Sequence, residues 1–352
     1  MPRFTADALR AMCAATFEAV GFAPNDAGVI ARLMVEANLV GHDSHGVRHI
    51  PVYVERVRNG LIVPDATLSV KQETAATAVL EGGNILGHVA AARGMEMAIK
   101  KARHGHIAAV AVRHQEHVGR VGAYPELAAQ AGLVGVTFCN GQGRGVQIAP
   151  FGGISRRMGA NPIAAAFPNA GGHPVLLDVS TSQVAVNKVR QARDRKAQLP
   201  DGTLISPSGE PSGDPETFLR DGGAVLPLGG VLFGHKGFGL AVMVDLFAGL
   251  LGGSGTALNH DPERLNNGTF HIAINPRAFM DEVEYSKTLL QFANYLRDSP
   301  VADGAPAVQM PGDFEAANRA ERVASGIPVD EAVWERICAT LAELSVVAPK
   351  PL

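Results

Sequence analysis

Two short stretches concentrate side chains that can move a proton or grip an anion. The first is His42-Asp43-Ser44-His45-Gly46-Val47-Arg48-His49, and the second is His114-Gln115-Glu116-His117. An imidazole exchanges a proton near neutral pH because its unperturbed pKa lies near ~6.5. An arginine offers a planar fork that suits a carboxylate. Ser44, His45 and Arg48 therefore make a candidate hydroxyl, proton donor and carboxylate clamp. The same residues are also compatible with a capping turn that carries surface histidines. The short spacings within His42, His45 and His49, or His114 and His117, leave a metal site open, but no HExxH and no cysteine ligand set accompanies them.

A third stretch is Phe233-Gly234-His235-Lys236-Gly237-Phe238-Gly239, placed at the entry to an apolar helix. A glycine-rich helix entry with a lysine suits a pyrophosphate, through free N–H groups, partial positive charge and one mobile cation. The alternative is a flexible loop whose glycines permit tight packing. No GxGxxG follows a strand with an acidic residue some twenty positions on, and no P-loop is present. Gly141-Gln-Gly143-Arg-Gly145 follows a strand but reads as a turn.

Elements must position these groups. Thr5 caps a helix carrying Leu9, Met12, Phe17 and Val20 at helical spacing. A second helix starts near Asn25–Asp26 and stops at Gly41, and Tyr53–Val57 is helical, so the first ~60 residues read as all helix. Beyond Leu68, helices over 89–103 and 121–130 alternate with apolar strands over 107–113 and 133–140. Further strands are expected at 163–167, 175–179 and 270–274. Residues 198–223, rich in Pro, Gly, Ser and Asp, read as an extended loop. A long apolar helix follows Gly237 to about Leu251, and helices over 281–297 and 330–346 close the chain. The fold class is mixed α/β. Residues 1–67 form an N-terminal helical part, 68–280 an α/β part, and 281–352 a C-terminal helical part that packs with the N-terminal helices.

Composition narrows the function. The 352 residues are 46% hydrophobic and 18% charged, with 40 glycines and a net charge of -3. That is the profile of a globular protein, and it lacks the basic, aromatic-interleaved stripe of a nucleic-acid binder. Arg190, Arg193, Arg195 and Lys196 read as a solvated face. Cys13, Cys139 and Cys338 form no CxxC, which fits a reducing compartment. The N-terminal residues do not read as a signal peptide. Leu240–Leu251, interrupted by Asp245, is too short to span a bilayer. A cytoplasmic protein with no membrane or nucleic-acid partner is expected.

Several motifs occur together and in order: Gly41-His-Asp-Ser-His-Gly46, His117-Val-Gly119, Pro150-Phe-Gly-Gly153, Gly159-Ala-Asn-Pro162, Leu177-Asp-Val-Ser180, Gly234-His-Lys-Gly237 and Gly326-Ile-Pro328. In this combination the chain resembles the malate/L-lactate dehydrogenase family, which is unrelated to the Rossmann-type lactate dehydrogenases. The resemblance runs from Leu9 to about Leu344. It implies a non-Rossmann nicotinamide-binding domain, a helical domain built from both termini, and a homodimer. It also implies NAD or NADP as cofactor and a small carboxylate as substrate.

Carried over by position, Ser44 and His45 match the segment beside the substrate, with His45 the proton donor in some members. His117 matches a general base in others. Gly141, Asp178, Val179, Ser180, Thr181, Ser182, Lys236, Gly312, Asp313 and Phe314 match dinucleotide-contacting stretches, and Asn161 and Tyr53 match positions near the substrate. The chain departs from the pattern at three places. Many relatives read Ser-His-Gly-x-x-Arg; here His49 occupies that arginine position and Arg48 precedes it. Glu116 stands beside His117 where relatives often read Ser-Asn-His, and His235 precedes the lysine where an aromatic is common. The implied reaction is hydride transfer between the nicotinamide and C2 of a 2-hydroxy or 2-oxo acid, without metal. Reduction of a cyclic imino acid such as piperideine-2-carboxylate is the alternative within the family. A zinc-dependent hydrolase and a non-catalytic dinucleotide binder are alternatives outside it.

Overall fold

A computed structural model describes residues 1–258 and 265–352. Its centre is a seven-stranded mixed sheet. In chain order the strands are β1 (Ser69–Glu73), β2 (Thr77–Glu81), β3 (Ile107–Gln115), β4 (Val134–Gly141), β5 (Ile163–Phe167), β6 (Val175–Val179) and β7 (Asn267–Ile274). They lie side by side in the order β1-β2-β3-β7-β4-β5-β6. Only β2 and β3 run parallel, joined by a helical crossover; every other neighbouring pair is antiparallel. The apolar runs read as strands at 107–113 and 133–140 flank the central strand β7, where both faces are covered. β1 and β2 escaped the sequence reading because Ser69-Val-Lys-Gln-Glu73 is almost entirely solvent-facing and carries no apolar run.

Among the described residues, ten helices of eight or more residues surround the sheet. In chain order, α1 (Ala6–Ala19), α2 (Pro24–Leu39) and α3 (Ile50–Arg58) precede it. The crossover α4 (Gly87–Gly105), with α5 (Ala123–Gln130), α6 (Val186–Asp194) and α7 (Gly230–Asp245), is interleaved with the strands. The last three, α8 (Glu282–Arg297), α9 (Asp313–Ser325) and α10 (Glu331–Glu343), close the chain. Thr5 caps α1 by accepting from Ala8 N at 3.2 Å. Asp281 and Asp330 cap α8 and α10 in the same way.

One hydrophobic core joins Leu9, Phe17, Ile30 and Met34 of the N-terminal helices to Val110 and Val112 of the sheet and to Ile337 and Leu341 of α10. It runs without a break across residue 67. Each fully buried side chain of this size contributes about 1.5–3 kcal/mol. The chain ends meet directly: Arg3 and Phe4 pair antiparallel with Pro328 and Ile327.

Four expectations are revised. The first sixty residues are not all helix, because Arg3–Phe4 forms that terminal strand. Residues 198–223 hold short strands at Leu204–Ile205 and Pro211–Ser212 and a short helix at Pro215–Leu219, so they are not one extended loop. Only part of the C-terminal segment packs with the N-terminal helices: α9 lies on α2 and α10 on α3. Helix α8 lies instead beside 168–175, where Tyr285 donates to Pro168 O at 3.0 Å. Lastly, the apolar helix begins seven residues before Gly237. It continues through a wide π turn at Leu246–Leu251, making 22 residues that are long and apolar enough to cross a membrane. Asp245 in its middle is buried, accepting from Asn140 Nδ2 at 2.8 Å and Ala257 N at 3.0 Å, so this side of the helix docks on the sheet.

Candidate active site

Asn38, at the end of α2, organises the first histidine stretch. Its Nδ2 donates to Asp43 at 2.6 Å and its Oδ1 accepts from Val47 N at 2.9 Å, drawing 42–49 into two 3-10 turns around the amide. Gly46 has no substitute here, because a Cβ would sit 2.0 Å from Asn38 Oδ1. The outer side of the loop is held by α9. Arg322 forms a fork with Asp43 at 2.6 and 3.0 Å, and His42 Nε2 lies 2.9 Å from Glu315.

The loop turns His45 and His49 toward the segment that leaves β3. The His45 ring stacks on His117, with centroids 5.9 Å apart and planes 8° from parallel. His49 stacks on Tyr53 at 5.3 Å and its Nε2 donates to Ser44 O at 2.6 Å. The Tyr53 hydroxyl lies 2.6 Å from His117 Nδ1, and Ser44 Oγ lies 3.0 Å from His45 Nδ1. Ser44, His45, His49, Tyr53 and His117 thus form one contact network, assembled from segments about seventy residues apart.

This network is desolvated. Burial, followed by the neighbouring imidazoles His49, His42 and His88 and the Arg120 charge, pushes His45 down to about 3. Burial pushes His49 down to about 4, partly offset by its bond to Ser44 O, and holds His117 well below its ordinary value. All three rings are therefore neutral at pH 7, the form that accepts a proton. Burial and Glu116 push the Tyr53 phenol far up, so it stays protonated. By donating to Nδ1 it leaves the ring proton of His117 on Nε2.

Three further parts of the site were not foreseen. Arg56 of α3 grips Glu116 at 2.6 and 3.2 Å, both nearly out of solvent, and so ties Tyr53's helix to His117's strand end. His88, on α4, is buried with both ring nitrogens unpartnered, edge-on to Tyr53 at 5.8 Å, and burial pushes it down to about 3. Gly119 is matched to it, since a Cβ there would lie 2.3 Å from His88 Nε2. Arg120 is buried beside Glu126 and Asp178. His88 was hidden within a helical apolar pattern. Arg120 did carry a signal, as a lone charge within Val118-Gly-Arg-Val-Gly122.

The remaining candidates divide. Asp178 accepts from Gly122 N at 2.9 Å, which joins the end of β6 to the loop after His117; it bonds to no histidine among the described residues. Val179 ends β6. Ser180 Oγ and Thr181 Oγ1 both donate to Ala160 O, and Ser182 Oγ to Val184 O, so these hydroxyls shape their own segment. Asn161 braces strand ends, accepting from Gly141 N at 3.1 Å and donating to Ala241 O at 3.0 Å, and does not offer a free amide to a ligand. Gly312 is the cap residue before α9, and Asp313 is taken up by Arg297 and His173. The exposed Phe314 ring stands edge-on to His42 at 6.3 Å. Arg48 is half-buried with no acid partner among the described residues.

Lys236 corrects the third stretch. Because the helix starts at Gly230, Gly234–Gly237 lies inside α7, not at a free N-terminus. Its glycines serve packing: a Cβ at Gly237 would meet Leu228 O at 2.4 Å. Lys236 is exposed, its Nζ 5.5 Å from the Phe233 ring. Among the described residues no group of three or more His, Cys, Asp or Glu is arranged to hold a metal ion.

A half-buried set of neutral imidazoles beside an arginine suits proton exchange on a small acid, the work of an oxidoreductase acting on hydroxy acids. Residues 4–338 match the family described as malate/L-lactate dehydrogenase. The chain is 35% identical to hydroxycarboxylate dehydrogenase B of Escherichia coli K12 over 96% of its length and 92% of the relative's. Among solved structures, sulfolactate dehydrogenase from Methanocaldococcus jannaschii is 31% identical, with a TM-score of 0.87 over 98% of both chains. Malate dehydrogenase from Pyrococcus horikoshii OT3 is 29% identical, with a TM-score of 0.90 over 99% of this chain and 97% of that one. The chain belongs to the malate/L-lactate dehydrogenase family.

Proposed function

We propose that the protein is an NAD(P)-dependent dehydrogenase that interconverts a small 2-hydroxy acid and its 2-oxo acid. The observation that carries this reading is the stacked His45–His117 pair, neutral and half-buried, with Ser44 and Tyr53 on the two Nδ1 atoms. When bound, the nicotinamide supplies or takes the hydride at C2 of the substrate. Polar atoms without partners in the buried wall, on His88 and Arg120, fit a polar ligand on this side of the sheet. Asp178–Ser182, Gly312–Phe314 and Lys236 would hold the dinucleotide. The mainly antiparallel sheet supports a binding mode unlike that of the doubly wound fold.

With the His45 proton on Nδ1, Ser44 Oγ accepts it and the Nε2 lone pair is left for the substrate hydroxyl. On reduction, the carboxylate of the bound acid favours the protonated ring, which delivers its proton to the developing alkoxide. His117, with Nδ1 engaged by Tyr53, presents Nε2–H to the same oxygen. Two copies would pair through the exposed apolar face of the 230–258 segment, where Leu232 (78%), Leu250 (65%) and Leu258 (83%) face solvent. A cytoplasmic setting fits three free cysteines. The test is loss of reduced-nicotinamide absorbance with a panel of 2-oxo acids and cyclic imines in the presence of EDTA. Turnover of a 2-oxo acid is the expected result, and absence of any NAD(P)H binding would overturn the reading.

A further inference from the structure

The arginine that many relatives carry in Ser-His-Gly-x-x-Arg is His49 in this chain, and its Nε2 is committed to Ser44 O. Another arginine lies deeper. The Arg120 side chain is 1% exposed; Nη2 donates to Glu126 at 2.9 Å, and Nε stops 3.7 Å short of Asp178. Nη1 and Nε are both buried without a hydrogen-bond acceptor. A buried guanidinium N–H left unpaired is costly, and native sites rarely leave one without a use. Glu126 is itself shared with Arg319 at 3.2 Å, so it does not belong to Arg120 alone. The position is set from both sides. Gly119 packs against His88, and Gly122 is tied to Asp178, so the loop between them has little freedom. Arg120 lies three residues beyond His117 and directly follows the Gly119 that packs on His88, so it sits on the loop that leaves the histidine network.

We infer that Arg120 binds the C1 carboxylate of the substrate through Nη1, in place of the missing arginine at position 49, and so hands the adjacent C2 oxygen to His45. This assignment rests on the hydroxy-acid reading above. Glu126 holds the Nη2 edge of the guanidinium, and the Asp178 carboxylate faces Nε at 3.7 Å. The ligand class is an acid with an oxygen on the carbon next to its carboxylate; the neutral amide of the same acid lacks the charge that Nη1 recognises.

The experiment compares wild type, Arg120→Gln and Arg120→Lys, using oxamate as a carboxylate probe and pyruvamide against pyruvate as substrates. Arg120→Gln should raise the KM for the acid and the Kd for oxamate by about 10- to 100-fold, the range of a charge-assisted hydrogen bond. It should also erase the preference for pyruvate over pyruvamide and leave the Kd for NAD(P)H within about threefold. Arg120→Lys keeps the buried charge and tests the same point should the glutamine variant fail to fold; free guanidinium should restore turnover in Arg120→Ala. Lost NAD(P)H binding with an unchanged KM for the acid would assign Arg120 to the dinucleotide and overturn the inference. Unchanged acid kinetics in Arg120→Lys, with no guanidinium rescue, would also overturn it. A wild-type protein that binds NAD(P)H but not oxamate defeats this assignment alone, and one that binds neither defeats the hydroxy-acid reading as well.

Discussion

The histidine network and the long apolar helix are built on opposite terms. Around Tyr53 the site side chains are half-buried or buried and mostly engaged: His49 on Ser44 O, Tyr53 on His117, Arg56 on Glu116. Along α7 the side chains that the family pattern assigns to the dinucleotide stand in solvent, with Lys236 beside exposed Phe233 and Leu232. Proton transfer, the role proposed for the first region, needs geometry fixed to a fraction of an ångström and low dielectric, which locked groups supply. Holding a large, charged ligand needs reach and tolerates exposure. Substitutions in the first region should therefore cost rate and stability, and those in the second should cost affinity.

The largest effect is expected at His45. His45→Ala should lower kcat about 10²- to 10⁴-fold with a much smaller change in NAD(P)H affinity, measured by nicotinamide absorbance and fluorescence titration. His117→Ala should fall less far if His117 only donates a hydrogen bond; an equal or larger loss there would reverse the two roles. Arg56→Ala attacks the same region through stability. It removes the two-pronged arginine contact from a buried carboxylate and should destabilise by up to about 3–5 kcal/mol, whereas the exposed pair Arg58–Glu343 is worth about 0–1 kcal/mol. Urea midpoints of Arg56→Ala and Arg58→Ala compare them directly.

The same contrast explains what was legible in the sequence. Ser44, His45, Tyr53 and His117 could be singled out by type and motif, and the apolar runs of β3 and β4 by their buried composition. His88 could not, because in a helix of Gly, Ala and Val its position reads as one more point on the core face, and only the fold shows that both nitrogens lack partners. The pairing of Arg56 with Glu116, 60 residues apart, leaves no local pattern. Gly234–Gly237 was placed at a helix entry for a physical reason. Glycines at a helix entry and glycines that let a helix pack against its own lead-in turn look alike in sequence, and only Leu228 O against Gly237 distinguishes them.

Acid should find the buried region first. His45, His88 and His271 are held down to about 3 and His49 to about 4 in the folded chain, against ~6.5 when unfolded. A depressed pKa means that the unfolded chain binds more protons throughout the interval between the two values. Stability is therefore full above about pH 6.5 and is lost as the pH falls toward 4 and then 3. The melting temperature should drop steeply over that window, and His271→Asn, remote from Ser44, should flatten the slope without touching kcat. A melting temperature independent of pH between 6.5 and 4 would contradict the burial of these rings.

The smallest effect is expected at Lys236, and it sharpens the comparison most. An exposed ammonium with no acid partner among the described residues is strongly hydrated and has little geometry to lose. Lys236→Ala should therefore raise the KM for NAD(P)H by no more than about tenfold, while kcat and the KM for the acid stay near wild type. The difference between wild type and variant should shrink as ionic strength rises from 0.01 to 1 M, where the Debye length falls from about 30 to 3 Å. The deficit of His45→Ala, set inside the protein, should not respond to salt. If the Lys236→Ala deficit also proved insensitive to salt, or fell on kcat, Lys236 would have to lie inside the closed site, and the division between a locked proton-transfer region and an open binding face would fail.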